Sequence, residues 1–167
     1  MRVRRYAQLA NASLASIGLG GALPIASAAA SSTALWVALS GGLAGVALDG
    51  SGAVARSLPL PAGCALGGLA YDYALQATYG LLGCAGRPFA LASFVDAGAG
   101  APPLVLGAGA VPAPDRAGLS GLMVDAAAYA VVSGGALVVL DLQGNEAGAA
   151  PVCEGCLASV VYEPYVF

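Results

Sequence analysis

The chain has 167 residues, with nine acidic residues against six basic ones, all arginine, a net charge of −3 and no histidine. That balance offers no cationic surface for a phosphate backbone, which argues against nucleic-acid binding, and the lack of histidine excludes Ser-His-Asp and Cys-His catalysis. Charged residues make up only 9% of the chain, against about 25% in ordinary globular proteins.

The first element is a targeting segment. Arg2, Arg4 and Arg5 precede a small apolar stretch, ANASLASIGLGGALPIASAAA (residues 10–30), which holds Pro24 and an Ala26-Ser27-Ala28 cleavage pattern. Arg4-Arg5 with Tyr6 and Leu9 is loosely similar to a twin-arginine signal. An ordered N-terminal helix is the competing reading, but the charge polarity favours a signal peptide over residues 1–28. The mature chain then starts near Ala29 in an extracytoplasmic compartment. Its later apolar runs are broken before about 18 residues accumulate, so no membrane span is expected in it.

Residues 33–163 read as one all-β domain of three repeated units, about 34–62, 63–107 and 117–163. Unit one predicts strands Leu35–Leu39, Leu43–Leu48 and Val54–Leu60. Unit two predicts Gly68–Tyr71, Ala77–Leu82, Phe89–Phe94 and Leu104–Leu106. A Pro/Gly/Ala-rich excursion, Asp96–Gly118, follows. Unit three predicts Gly121–Val124, Tyr129–Val132, Leu137–Asp141 and Ala147–Val152, and Leu157–Tyr162 would open a fourth. Ser40-Gly41-Gly42 in unit one answers to Ser133-Gly134-Gly135 in unit three, and Asp49 answers to Asp141. The spans Ser40–Cys64 and Ser133–Cys156 agree to within one residue. Trp36, Tyr79 and Tyr129 recur in the second strands. A period of about 40–50 residues built from short strands and glycine turns is the signature of β-propeller blades.

Four cysteines stand at Cys64, Cys84, Cys153 and Cys156. An even count outside the cytoplasm points to disulfides. Cys153-Glu154-Gly155-Cys156 could also be redox-active or half of a zinc site. A zinc site wants a second pair or histidines, and a redox site wants a following helix, whereas the sequence here continues as a strand. If the blades stack in register, Cys64 pairs with Cys84 and Cys153 with Cys156, while Cys64 and Cys156 lie too far apart to bond.

The stretch GLSGLMVDAAAYAVVSGGALVVLDLQGNEAGAAPV (residues 118–152) resembles a blade of the gluconolactonase/regucalcin-type propellers, with NHL-type propellers close behind. LGGLAYDYALQATYGLLG (residues 66–83) is similar to another blade of that family. The resemblance covers roughly Ala34–Tyr162. It implies a six-bladed ring that hydrolyses sugar lactones with one divalent metal, held by a Glu, an Asn and an Asp. Those positions fall here on Ser32, Gly67 and Ser120, which cannot replace two carboxylates and an amide around a hard cation. The resemblance therefore implies the architecture without the metal, and without the Lewis acid and activated water it would supply.

Remaining candidates for chemistry are few. Asp49, Asp72, Asp125 and Asp141 sit at strand ends. They could form a carboxylate pair, but strand-end aspartates more often tie turns. Arg56, Arg87 and Arg116 are the cations of the mature chain; one could grip an anion, and solvated surface is the plainer reading. No catalytic residue, cofactor or metal site is assigned. The expectation is a secreted, non-catalytic propeller-like module for binding or structure. The alternatives are a degenerate or incomplete gluconolactonase-like lactone hydrolase and an extracellular assembly subunit, the latter because so sparse a surface charge suits association. Unit one lacks a first strand and Leu157–Tyr162 is a spare, so self-association by strand exchange, as a homodimer or an open polymer, is expected.

Overall fold

The computed structural model describes residues 27–39, 41–49, 53–96, 101–114, 122–124 and 128–151. Twelve strands make up its regular structure: β1 (Ser27–Ala30), β2 (Ala34–Leu39), β3 (Gly42–Ala47), β4 (Val54–Pro59), β5 (Cys64–Asp72), β6 (Ala77–Cys84), β7 (Ala90–Val95), β8 (Val105–Leu106), β9 (Leu122–Val124), β10 (Ala128–Ser133), β11 (Ala136–Asp141) and β12 (Glu146–Pro151). They form three four-stranded antiparallel sheets, β1–β4, β5–β8 and β9–β12, each strand pairing with its neighbour in sequence. No helix among the described residues is long and apolar enough to cross a membrane.

Short apolar runs become meanders because glycine closes the turns. Gly134 and Gly135, with φ of 58° and 74°, form the two-residue turn between Ser133 and Ala136. Positive φ at both central residues matches the right-handed twist of the flanking strands, and side chains other than glycine resist it.

The middle sheet explains the core. Along β6 and β7 successive side chains point to opposite faces, and both faces are covered. Leu82, Ala92 and Phe94 pack towards the first sheet with Trp36, Ala38, Leu43 and Leu58. Tyr79, Leu81 and Leu91 pack towards the third sheet with Tyr129, Val131, Val138 and Leu140. A strand buried on both faces reads as a continuous apolar run, and ATYGLL in β6 is buried at every one of those positions. Trp36 and Phe94 meet edge to face at 4.9 Å, an arrangement worth about 0.5–1.5 kcal/mol beyond burial. Gly45, opposite Trp36 on β3, leaves room for the indole, since a Cβ there would stand 3.0 Å from its ring.

The sheets meet chiefly through their first strands: β5 lies against β1 on one side and β9 on the other. A bulge at Gly67–Ala70 marks that seam. Gly68 takes φ 59°, its carbonyl accepts from the Tyr129 hydroxyl at 2.6 Å, and the next amide, Leu69 N–H, donates to Ser27 Oγ at 2.8 Å. The backbone groups released from the ladder by the bulge thus bind the third and first sheets in turn. Cys64 and Cys84 sit directly opposite each other in β5 and β6, with Cα atoms 4.1 Å apart, and form a disulfide.

Two expectations need correction. Unit one does not lack a first strand: Ser27–Ala30 pairs with β2 across the whole of its length. The same strand spans residue 28, at which the signal segment was expected to end. The Ser-Gly-Gly triplets are one residue out of step, since Leu39 faces Gly42 whereas Ser133 faces Ala136. Ser133 therefore answers to Leu39, Asp141 to Ala47 rather than Asp49, and Tyr129 to Leu35 rather than Trp36. With a period of two, that single step turns Tyr129 to the opposite face from Trp36. Within the excursion, beyond β8, Gly107 N–H donates to Leu91 O at 2.7 Å, Gly109 N–H to Gln143 O at 2.8 Å, and Val111 N–H to Phe89 O at 2.8 Å. Cys153, Cys156, Asp125, Arg116, Ser120 and the strand expected at Leu157–Tyr162 lie outside the described residues.

Candidate functional site

Within a meander the odd strands run the same way, so the segments after β1 and β3 share one end of the first sheet, and those after β5 and β7 share one end of the middle sheet. The 31–33 segment meets Asp96 across them, which makes that junction the candidate site. Its centre is Asp96, just after β7. Its side chain is only 5% exposed and forms an ion pair with Arg56 of β4 through Oδ1. Its other oxygen, Oδ2, accepts from Thr33 Oγ1 at 2.5 Å and from Trp36 Nε1 at 3.4 Å, and stands 3.2 Å from Ser31 Oγ.

The 31–33 segment is shaped for this role. Ser31 is buried, and its hydroxyl oxygen accepts from the Thr33 and Ala34 amides at 3.2 and 3.0 Å. This local turn between β1 and β2 aims Thr33 at the carboxylate. All partners of Asp96 come from the first sheet, while Asp96 belongs to the middle sheet, so the cluster is an electrostatic clasp between two sheets. Charge-assisted hydrogen bonds of this kind are the stronger ones. They also occupy both oxygens, leaving the carboxylate poorly placed to take a proton from a substrate or to bind a cation.

The strand-end aspartates tie turns. Asp72 is buried, and its Oδ1 accepts from the Ala74 and Leu75 amides at 2.7 and 2.9 Å. Its Oδ2 has no hydrogen-bond partner among the described residues. Burial, and secondly the Asp72 charge, push the Tyr79 phenol up from its ordinary pKa. Asp141 holds the β11–β12 turn, where its Oδ1 accepts from the Gln143 and Asn145 amides at 2.9 and 2.8 Å and its Oδ2 from Asn145 Nδ2 at 2.9 Å. The Asn145 side-chain bond, followed by its backbone bond, holds the Asp141 carboxyl below the usual range. Asp49 lies shortly after β3.

Of the arginines, Arg56 is spent on Asp96, and Arg87 lies exposed in the β6–β7 turn, where its amide donates to Cys84 O at 3.1 Å. Ser32 is exposed, with its hydroxyl 3.5 Å from the Tyr71 hydroxyl, and Gly67 pairs with Leu81 inside the middle sheet. Among the described residues no three of His, Cys, Asp and Glu stand close enough to hold a metal ion.

The sequence reading missed Asp96, which stood there only as the first residue of the excursion. Its partners are 40 to 65 residues away along the chain, and no local spacing announces so distant a contact. Signals did exist: the one tryptophan, whose ring N–H needs an acceptor when buried, and an arginine in the strand beside it.

No protein-family model matches this chain, and no curated protein and no solved structure shows significant similarity to it.

Proposed function

We propose that this chain is a non-catalytic, propeller-like module of the extracytoplasmic space, following a cleaved N-terminal leader, that serves binding or structure rather than chemistry. The observation that carries the reading is Asp96: the best-placed carboxylate of the described residues has both oxygens engaged in joining sheets. The fan of three four-stranded meanders, in contact through their first strands, supports blades arranged around an axis. The Cys64–Cys84 disulfide is in keeping with an oxidising compartment. Calorimetric titration of the purified protein with calcium and zinc, together with a sugar-lactone hydrolysis assay, tests this. No stoichiometric binding and no turnover are expected. Tight binding of one ion with lactone cleavage would restore the gluconolactonase-like alternative.

One observation favours assembly as a second reading. Among the described residues β12 is the edge strand of the third sheet, and all six of its residues, EAGAAP, are exposed. An edge of alanine and glycine without lysine is open to pairing with another chain. Light scattering over a dilution series tests it: assembly through β12 gives a mass above 16.0 kDa that falls in the Ala149→Lys variant. A mass of one chain at every concentration refutes it.

A further inference from the structure

We infer that β1 belongs to the mature domain, so that the leader is cut upstream of Ser27 and the Ala28–Ala29 bond, although it follows an Ala-x-Ala motif, is not the processing point. The inference rests on the leader reading above and concerns where that leader ends.

Three observations tie β1 into the fold. Ser27, Ala28, Ala29 and Ala30 pair in register with Ala38, Val37, Trp36 and Leu35, which places the scissile bond in the middle of a paired strand. Ala29 packs against the core cluster that contains Trp36 and Phe94. Ser27 Oγ takes the Leu69 N–H at 2.8 Å, the amide that the β5 bulge releases from its own ladder. A peptidase needs its target as an accessible single strand, and here the bond is hydrogen-bonded within the sheet.

Cutting before folding would have a definite cost. Loss of Ser27 and Ala28 strips Leu69 N–H of its acceptor, and a partly buried donor without a partner is destabilising. It also bares the inner side of β2 beside the seam between sheets. An unfilled sheet edge accepts a strand from another chain, so the cut product would be an acceptor for a second copy. Retention of β1 keeps that edge closed. The small residues at 27–30 then have a second explanation: they fit a strand packed against β2 and β5 as well as they resemble a cleavage motif.

The test is export of the full chain in a bacterial host, followed by N-terminal sequencing, intact mass and site-resolved hydrogen exchange of the mature protein. The expected first residue is Ser27 or one upstream of it, with the Leu69 amide protected. Ser27→Ala should leave the processing point unchanged and speed exchange at Leu69 by about tenfold or more. A mature chain that begins at Ala29 overturns the inference, as does exchange at Leu69 that ignores Ser27→Ala. A chain retaining Met1 would refute the leader itself while leaving Ala28–Ala29 uncut, and Leu69 exchange would still report on β1.

Discussion

Asp96 and Tyr129 each hold sheet to sheet through polar atoms, and each makes a distinct prediction. Asp96→Asn removes the charge that answers Arg56 and leaves a guanidinium with 21% exposure unpaired. Breaking one side of a largely buried pair is costly, so a loss of about 2–3 kcal/mol is expected in urea unfolding, with little change in the slope. Asp141→Asn is the exposed comparison and should change stability less. Tyr129 is fully buried, and burial raises its phenol pKa far above the ordinary 10.0. The unfolded chain releases that proton near its ordinary pKa while the folded chain keeps it. Its stabilising contribution is therefore whole below about pH 10 and declines as pH rises further. Urea midpoints should fall from about pH 9 to about pH 11, and less steeply in Tyr129→Phe, which has no proton to lose there. That variant should also be less stable at neutral pH by about 1–2 kcal/mol, because the Gly68 carbonyl loses its donor.

At the scale of the strand, most of the secondary structure was legible. Apolar runs bounded by Ser-Gly-Gly, Asp-Gly and Gln-Gly-Asn have a turn chemistry that leaves little choice, and the eleven strands expected within the three units lie within a few residues of β2–β12. β1 was hidden because Ser-Ala-Ala-Ala carries no alternation, and its small residues serve a leader equally well. The repeat itself was legible but slipped by one residue, because Ser-Gly-Gly aligns as letters whereas the turn is set by which two residues take positive φ. Among site residues, Asp72 and Asp141 were readable as turn ties from their place before Gly- or Ala-containing turns. Asp96 was not, because its partners are set by how sheets stack. The Cys64–Cys84 pair was readable from blade alignment alone. Closing a loop of 20 residues contributes about 3 kcal/mol in the chain-entropy account. Replacing both cysteines by serine should lower the unfolding free energy by up to about that amount, measured by calorimetry, while the far-ultraviolet circular dichroism of the sheets persists.

The described residues form three sheets of which the middle one is buried on both faces, in contact along β1, β5 and β9. β1 fills the first place in its sheet, and the exposed β12 edge is the surface proposed for contact between copies. The stacking of sheets through first strands is the claim on which the clasp at Asp96, the bulge contacts and the reading of the domain start all depend. Pulsed electron resonance between non-thiol spin labels measures it most directly: one pair on the inner strands, at Ala28 and Ala65, and one on the outer strands, at Ser57 and Val105. A fan predicts a distinctly shorter distance for the inner pair. Equal distances, or a shorter outer pair, would mean sheets lying flat on one another and would contradict the account.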